Sequence, residues 1–414
     1  MTTATPVLSL AKVRRRFPAF DRQIKGKPVA YFDAPGGTQV PDTVADAVRN
    51  YLLHQNANTH WAFPTSAETD AMILRARQAA ADLLGAGADE IAFGANMTTL
   101  TFHVARALGR QWGPGDEVII TELDHHANVA PWQALARERG ITLRMVPLAA
   151  DLRSLDLAAF ERILSPRTRI VAVGAASNAI GTITDPAIIS EMAHAVGALV
   201  FTDAVHFTPH DLVDVRAMGS DLLACSAYKF CGPHVGLLYV RKALAEQLDV
   251  PKLEPAPDTV PERLETGTLN HEGIAGVEAA VNFLAELGSG DGTRRQRLEA
   301  SYAWLHRQGE VLFREMWDGL SAIPGVRLFG HAPGGPRRTP TVAFTVGKLP
   351  SSQVAAQLAS DGVFVSDGDF YASTVVQRLG LAGQGLVRAG CACYTSEEEV
   401  ERLVEGVRAL GAQR

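Results

Sequence analysis

The sequence predicts an α/β protein, with a mostly parallel sheet in a large domain and a smaller C-terminal α+β domain. Three observations predict it. Apolar runs of strand length alternate with helix-length amphipathic segments from about residue 30 to about residue 280, the pattern of parallel strands joined by helices on both faces. From the "GSGDGT" stretch at 288–293 onward, that alternation gives way to long helical segments. The chain has 414 residues, more than one hydrophobic core usually organises, so two domains are expected. The expected division is an N-terminal segment over 1–30 packing with the small domain, a large domain over 31–285 and a small domain over 286–414.

Each element can be justified in chain order. "EIAFGA" reads as a strand running into the "ANMTT" turn and the helix "LTFHVARALG". "GDEVIIT" (115–121), "TRIVAVGAAS" (168–177), "GALVFTDA" (197–204), "SDLLACSAY" (220–228) and "GLLYVRK" (236–242) are apolar runs of strand length. Between them, "VAPWQALARERG" (129–140) ends on a glycine stop, and "DPAIISEMAHAVG" (185–197) opens on Asp-Pro and ends the same way. The later part offers a long helix at 294–320, strand candidates "TVAFTV" (341–346) and "GVFVSDG" (362–368), and a closing helix "SEEEVERLVEGVRALG" (396–411).

Composition narrows the function. Apolar residues at 47 % and charged residues at 20 % are ordinary for a globular protein. A net charge of −6 argues against a nucleic acid or an anionic membrane surface as the main partner. No apolar run approaches bilayer length. The N-terminal basic cluster follows the weakly apolar stretch, the wrong order for a secretory signal. The four cysteines, Cys225, Cys231, Cys391 and Cys393, form no CxxC pair, which fits a reduced, cytoplasmic protein.

In an open parallel sheet, ligands bind beyond the carboxyl ends of the strands. Five successive strand ends carry polar residues there: Asn96, Thr98 and Thr99; Asp124, His125, His126 and Asn128; Ser177 and Asn178; Asp203 and His206; Ser226, Tyr228 and Lys229. Lysine is almost never buried unless something pairs or uses it. An amine, a carboxylate and a helix N-terminus rich in hydroxyls together suit pyridoxal phosphate. That cofactor needs an amine for its aldehyde, an acid facing its pyridine nitrogen and donors for its phosphate. Lys229 would carry the aldehyde, Asp203 would face the ring nitrogen and "ANMTT" would hold the phosphate. The spacing Asp203-x-x-His206-x-x-x-His210 also admits a metal-dependent hydrolase, although zinc sites need three or four convergent ligands.

Motifs running through nearly the whole chain resemble the cysteine desulfurase-like branch of the class V aminotransferases. They are "YFDAPGGTQVP", "NANTHWAFPTSAE", "DHHANVAPW", "SNAIGT", "TDAVHFTPHDLVDV", "SAYKFCGPHVG", "ETGTLNHEG" and "VRAGCACYTSEEEVERL". The resemblance implies fold-type I, pyridoxal 5'-phosphate as cofactor, and a role for each matching residue. Lys229 would be the Schiff-base lysine, Asp203 the pyridinium partner and His125 the imidazole stacked on the ring. His206 and Asn178 would lie near the phenolic oxygen, and Met97, Thr98, Ser226 and Tyr228 at the phosphate. Thr268 resembles a phosphate contact from the neighbouring subunit, implying a homodimer. Arg388 matches the arginine that clamps the substrate α-carboxylate, a task suited to a guanidinium fork.

One departure shapes the expected reaction. Desulfurases carry a nucleophilic cysteine on a loop before that arginine, whereas "GVFVSDGDFYASTVVQRLG" (362–380) has none and puts Tyr371 near that position. The spacing of Cys391 and Cys393 would place both on one face of a strand as buried thiols, and Cys231 reads as a small buried thiol. The expected activity is desulfurase-like C–S β-lyase chemistry on a small, cysteine-type amino acid, with protonated histidines helping the leaving group. Transamination or epimerisation by the same carbanion is the alternative, and a non-catalytic cofactor-binding module a further one. Trp61, Phe63 and Tyr371 are the candidate pocket aromatics.

Overall fold

The apolar runs form one sheet. In the computed structural model, which describes residues 8–288 and 291–412, seven strands build it: Ile91–Gly94 (β1), Glu117–Thr121 (β2), Thr142–Val146 (β3), Thr168–Gly174 (β4), Leu199–Asp203 (β5), Leu222–Ser226 (β6) and Gly236–Val240 (β7). Their order is β1-β7-β6-β5-β4-β2-β3. Only β7 runs antiparallel to its neighbours, so the carboxyl ends of β1, β2, β4, β5 and β6 share one edge. β3 is the strand that apolar runs do not reveal. It lies at the sheet's edge and its side chains are mostly exposed, so its sequence needs no apolar stripe.

The helices follow the stop signals closely. Ala130–Arg139 ends at Gly140, whose φ of 68° is the left-handed conformation that glycine adopts without strain. Pro186–His194 starts on the Asp185 side chain, which accepts from the N–H groups of Ala187 and Ile188. Helix Met97–Gly109 (α1) starts at the shared edge, capped by Asn96 Oδ1 accepting from Thr99 N–H.

A second, four-stranded antiparallel sheet holds Val326–Phe329 (β8), Thr341–Val346 (β9), Ser366–Gly368 (β10) and Leu386–Gly390 (β11) in the order β8-β9-β11-β10. Helices Arg294–Ser321 and Glu397–Ala412 accompany it. The expected strand over 362–368 is in fact two. Val363–Phe364 pairs in parallel with Ala30–Tyr31, and the chain then changes partner at Val365 so that β10 pairs with β11. A single apolar run cannot show that change of partner. Of the boundary stretch 288–293, residues 289–290 lie outside the described residues.

The large sheet is buried on both faces, with Val118, Ile120, Ala172 and Phe201 in one core cluster and Ile119, Val171, Val173 and Val200 in another. Polar side chains at its edge therefore stand on rigid supports. Among the described residues no helix is long and apolar enough to cross a membrane.

Candidate active site

Strand β6 ends at Ser226, and the chain tightens into the short helical turn Ala227–Lys229. This turns Lys229 back toward the sheet's edge, where it is 9 % exposed. Its Nζ donates to the carbonyl oxygens of Pro35 at 2.5 Å and Gly36 at 3.1 Å, and lies 4.9 Å from the centre of the Tyr228 ring. Burial, followed by the nearby Arg388 charge, draws its pKa down to about 7, with Asp203 pulling the other way.

Asp203 ends β5 one strand away. Its Oδ1 accepts from the Val205 N–H at 2.9 Å, and burial pushes its pKa up to about 6. His206 follows a turn later, its Nε2 within 3.0 Å of Thr339 Oγ1. Asn178, beyond β4, donates through Nδ2 to the carbonyl of Phe370 at 2.8 Å. His125, beyond β2, accepts at Nδ1 from the Ala127 N–H at 3.0 Å. Burial, then Lys229 and Arg388, lowers its pKa to about 4, and burial holds His206 well below the usual imidazole range. Both imidazoles are therefore neutral at pH 7, which corrects the expectation of protonated histidines.

At the third corner, the Met97 N–H opening α1 donates to Ser226 Oγ at 3.0 Å, tying the helix start to the end of β6. Thr98 stands exposed beside it. Gly236 of β7 lies beneath, where a Cβ would be 2.6 Å from the Asn96 carbonyl carbon.

Met97, Thr98, His125, Asn178, Asp203, His206, Ser226, Tyr228 and Lys229 all line one cavity of about 590 Å³. Two of its polar atoms are buried without a partner, His206 Nδ1 and Asn178 Oδ1. Such atoms cost roughly 1–3 kcal/mol each when unsatisfied. A ligand with polar atoms at that wall relieves the cost. With an amine, a carboxylate and a helix N-terminus around the same space, the donor set fits pyridoxal phosphate.

Arg388 lies behind this wall on β11, paired in register with Ala343 and Ser366. It is 3 % exposed. Its guanidinium donates to Asn178 O at 2.6 Å and Ser366 Oγ at 3.4 Å, leaves Nε unpartnered, and lies 4.1 Å from the centre of the Phe370 ring. Phe370 and the neighbouring Tyr371 both adopt left-handed backbone, with φ of 55° and 57°. That conformation costs about 1–2 kcal/mol per non-glycine residue. Two contacts offset the strain: the Asn178 amide on Phe370 O, and the His126 N–H on Tyr371 O at 2.7 Å. Tyr371, 71 % exposed, rests its ring 5.5 Å from that of His125.

Other expected residues stand elsewhere. Thr268 is exposed on a loop lining two separate cavities, of about 960 and 540 Å³. Trp61 lines the larger of these and Phe63 caps a helix, so neither belongs to the cavity around Lys229. Cys391 and Cys393 lie beyond the end of β11 and not on its face, because the strand stops at Gly390. All four cysteines are buried. Asp203, His206 and His210 form no metal cluster; among the described residues no three His, Cys, Asp or Glu side chains are grouped to hold an ion. Sequence reasoning missed His234, stacked on Tyr228 at 5.0 Å, and Phe370 over Arg388. Neither carries a local signal, since each contact depends on tertiary packing.

Comparisons with known proteins place this arrangement. The family model for class V aminotransferases matches residues 30–403. A cysteine desulfurase of Dickeya dadantii is 32 % identical over 415 residues, covering 96 % of each chain, and one of Klebsiella pneumoniae is 33 % identical, covering 97 % of this chain and 98 % of its own. Among solved structures, the apo cysteine desulfurase of Thermococcus onnurineus superposes with a TM-score of 0.87 at 28 % identity over the whole of both chains. The Escherichia coli cysteine desulfurase CsdA does so with 0.84 at 27 %, covering 98 % of this chain and 99 % of its own. The chain belongs to the class V aminotransferase family and is, as that membership entails, a pyridoxal phosphate-dependent enzyme of the cysteine desulfurase-like kind.

Proposed function

We propose that the protein catalyses β-elimination at the C–S bond of a small, cysteine-type amino acid, without passing sulfur through a thiol of its own. The observation that carries this is the site's mouth. Tyr371 stands there beside His125, and every cysteine of the chain is buried, with Cys225 held up at about 12 and Cys391 raised further still. Thiolates are the nucleophiles; burial disfavours that form at Cys225 and Cys391, and none of the four cysteines lines the cavity of about 590 Å³ around Lys229.

Pyridoxal phosphate, when bound, supplies an aldehyde that captures amines and a ring that accepts the electron pair left at Cα. Lys229 would hold it covalently. Asp203 would face the ring nitrogen, His206 and Asn178 the phenolic oxygen, and His125 the ring. The start of α1 with Met97, Thr98, Ser226 and Tyr228 would hold the phosphate. Arg388, with Asn178 alongside, would bind the substrate carboxylate. An amine near pKa 7 is partly neutral at physiological pH, so Lys229 can take the Cα proton. With the imidazoles neutral, the ammonium so formed is the group able to return that proton to the departing sulfur. The C–S electron pair leaves with sulfur, and the unsaturated amino acid left behind hydrolyses to pyruvate and ammonia.

The same reading includes a homodimer, in which Thr268 reaches the partner's phosphate site. Its exposure, apart from its own chain's cavity, supports this. The division at 31 and 286 is supported by the separate sheets, and the cytoplasmic setting by the unpaired cysteines. Incubating purified enzyme with L-cysteine and its S-substituted derivatives, while assaying sulfide or thiol, pyruvate and alanine together, tests the reaction. Pyruvate matching the released sulfur is expected. Alanine with protein-bound sulfur would contradict elimination. A keto acid without sulfur release would mean transamination, and inverted amino acid epimerisation.

A further inference from the structure

His234 has no part in the machinery above, yet it lines the same cavity as Lys229. It stands on the turn that joins β6 to β7, and that turn is tightly held. The Ala227 N–H donates to the Val235 carbonyl and the Gly232 N–H to the Ala227 carbonyl, both at 2.9 Å. Gly232 is pressed against Ala227, where a Cβ would meet the carbonyl oxygen at 2.9 Å. Strand alternation then sets which way the imidazole faces. Val235, Leu237 and Tyr239 enter one core cluster, whereas Leu238 and Val240 enter the other, which also holds Met97 and Leu100 of α1. Gly236 and His234 therefore share the face turned toward α1. Gly236 pairs with Ser226, whose Oγ accepts the Met97 N–H.

The imidazole lies face to face with the Tyr228 ring, with 5.0 Å between centres and 14° between planes. Tyr228 is itself packed on Gly37, where a Cβ would lie 3.1 Å from its Cδ2. Apart from that stack, no hydrogen bond or ion pair among the described residues occupies the ring nitrogens of His234. Its ring is thus held in place at the cavity while its donors stay free.

The charges around the cavity indicate what those donors meet. A phosphate monoester carries about two negative charges near neutral pH. Asp124 and Asp203 line the cavity with carboxyls, and the Lys229 amine is taken by the aldehyde. His125 and His206 are neutral and stand at the ring and the phenolic oxygen. Thr98, Thr99, Ser226 and Tyr228 offer uncharged hydroxyls. Beyond the positive end of α1, His234 is the lining side chain left that can bring positive charge to the phosphate, since an imidazole beside an anion donates through both ring nitrogens. We propose that His234 is a phosphate-binding residue of the cofactor site, with Tyr228 setting the plane of its ring. The inference rests on the active-site reading given above.

The test compares pyridoxal phosphate with pyridoxal, the same aldehyde without the phosphate. Phenylalanine in His234→Phe keeps a flat ring on Tyr228 but brings no N–H. Titrating each aldehyde into wild type and variant, followed by absorbance, reads both affinities. In His234→Phe the affinity for pyridoxal phosphate should fall about tenfold, the loss of one hydrogen bond to a charged group, while that for pyridoxal stays at the wild-type value. His234→Gln, which restores a side-chain N–H, should recover part of the loss. In wild-type holoenzyme with labelled histidine, magnetic resonance should show a ring nitrogen coupled through space to the cofactor phosphorus, and the coupling should vanish in His234→Phe. A wild type without that coupling overturns the inference whether or not the variants fold. So does a variant that loses affinity for both aldehydes alike, or one that keeps the wild-type ratio between them. Failure of wild type to capture either aldehyde at Lys229 would sink the active-site reading and this inference together, whereas capture with an unchanged ratio sinks the inference alone.

Discussion

An ordinary lysine amine is almost wholly protonated at neutral pH and cannot attack an aldehyde. Lys229 differs because burial and Arg388 disfavour its charge, bringing it to about pKa 7. The sign follows directly. Cofactor capture by the apoenzyme should rise about tenfold per pH unit below neutrality and level off just above it, where an exposed lysine would keep gaining to about pH 10. Stopped-flow absorbance against pH measures this; a rate still climbing steeply at pH 9 would show that the amine is not so perturbed. Lys229 and Asp203 were legible in the sequence because each directly follows an apolar run, and strand ends are where such folds place ligands. The oxygens that hold the amine were not, because Pro35 and Gly36 lie 194 and 193 residues away and contribute backbone only.

At the scale of elements, the site depends on α1 meeting the edge of the sheet. Gly236 opens β7 opposite both Ser226 and Gly94, directly beneath the Asn96 backbone. A methyl group there has no room, since its nearest neighbours include main-chain atoms at 2.6 and 2.8 Å. Gly236→Ala should therefore destabilise the fold by about 1–3 kcal/mol. It should also weaken cofactor affinity at least tenfold by shifting the turn proposed to hold the phosphate, as equilibrium titration and thermal melting would report. Unchanged affinity would mean that the turn tolerates displacement. The strands and helices feeding this junction were readable from apolar periodicity and glycine stops. The loop at Phe370 and Tyr371 was not, because its left-handed residues are fixed by Asn178 and His126 from the other sheet's edge.

For the whole molecule, the site lies where two sheets meet. The seven-stranded sheet supplies Lys229 and Asp203, and the four-stranded sheet brings Arg388 against Asn178. The two-part organisation was legible in the change from alternating runs to long helices. The partner switch at Val365 was not, since pairing in two different sheets leaves one continuous apolar run. Thr268 extends the argument beyond one chain. Thr268→Ala should leave the fold and the melting temperature of the apoenzyme within about 0.5 kcal/mol of wild type, as surface substitutions do, while lowering cofactor affinity severalfold. Equal affinity in both proteins would place Thr268 outside the site.

The account stands on a covalent bond between the cofactor's aldehyde and one buried amine. Reducing the loaded enzyme with borohydride, digesting it and sequencing the peptides by mass spectrometry reads that bond directly. The pyridoxyl mass should fall on Lys229 and be missing from Lys229→Ala. The adduct on another lysine, or none at all in protein carrying the cofactor, would contradict it.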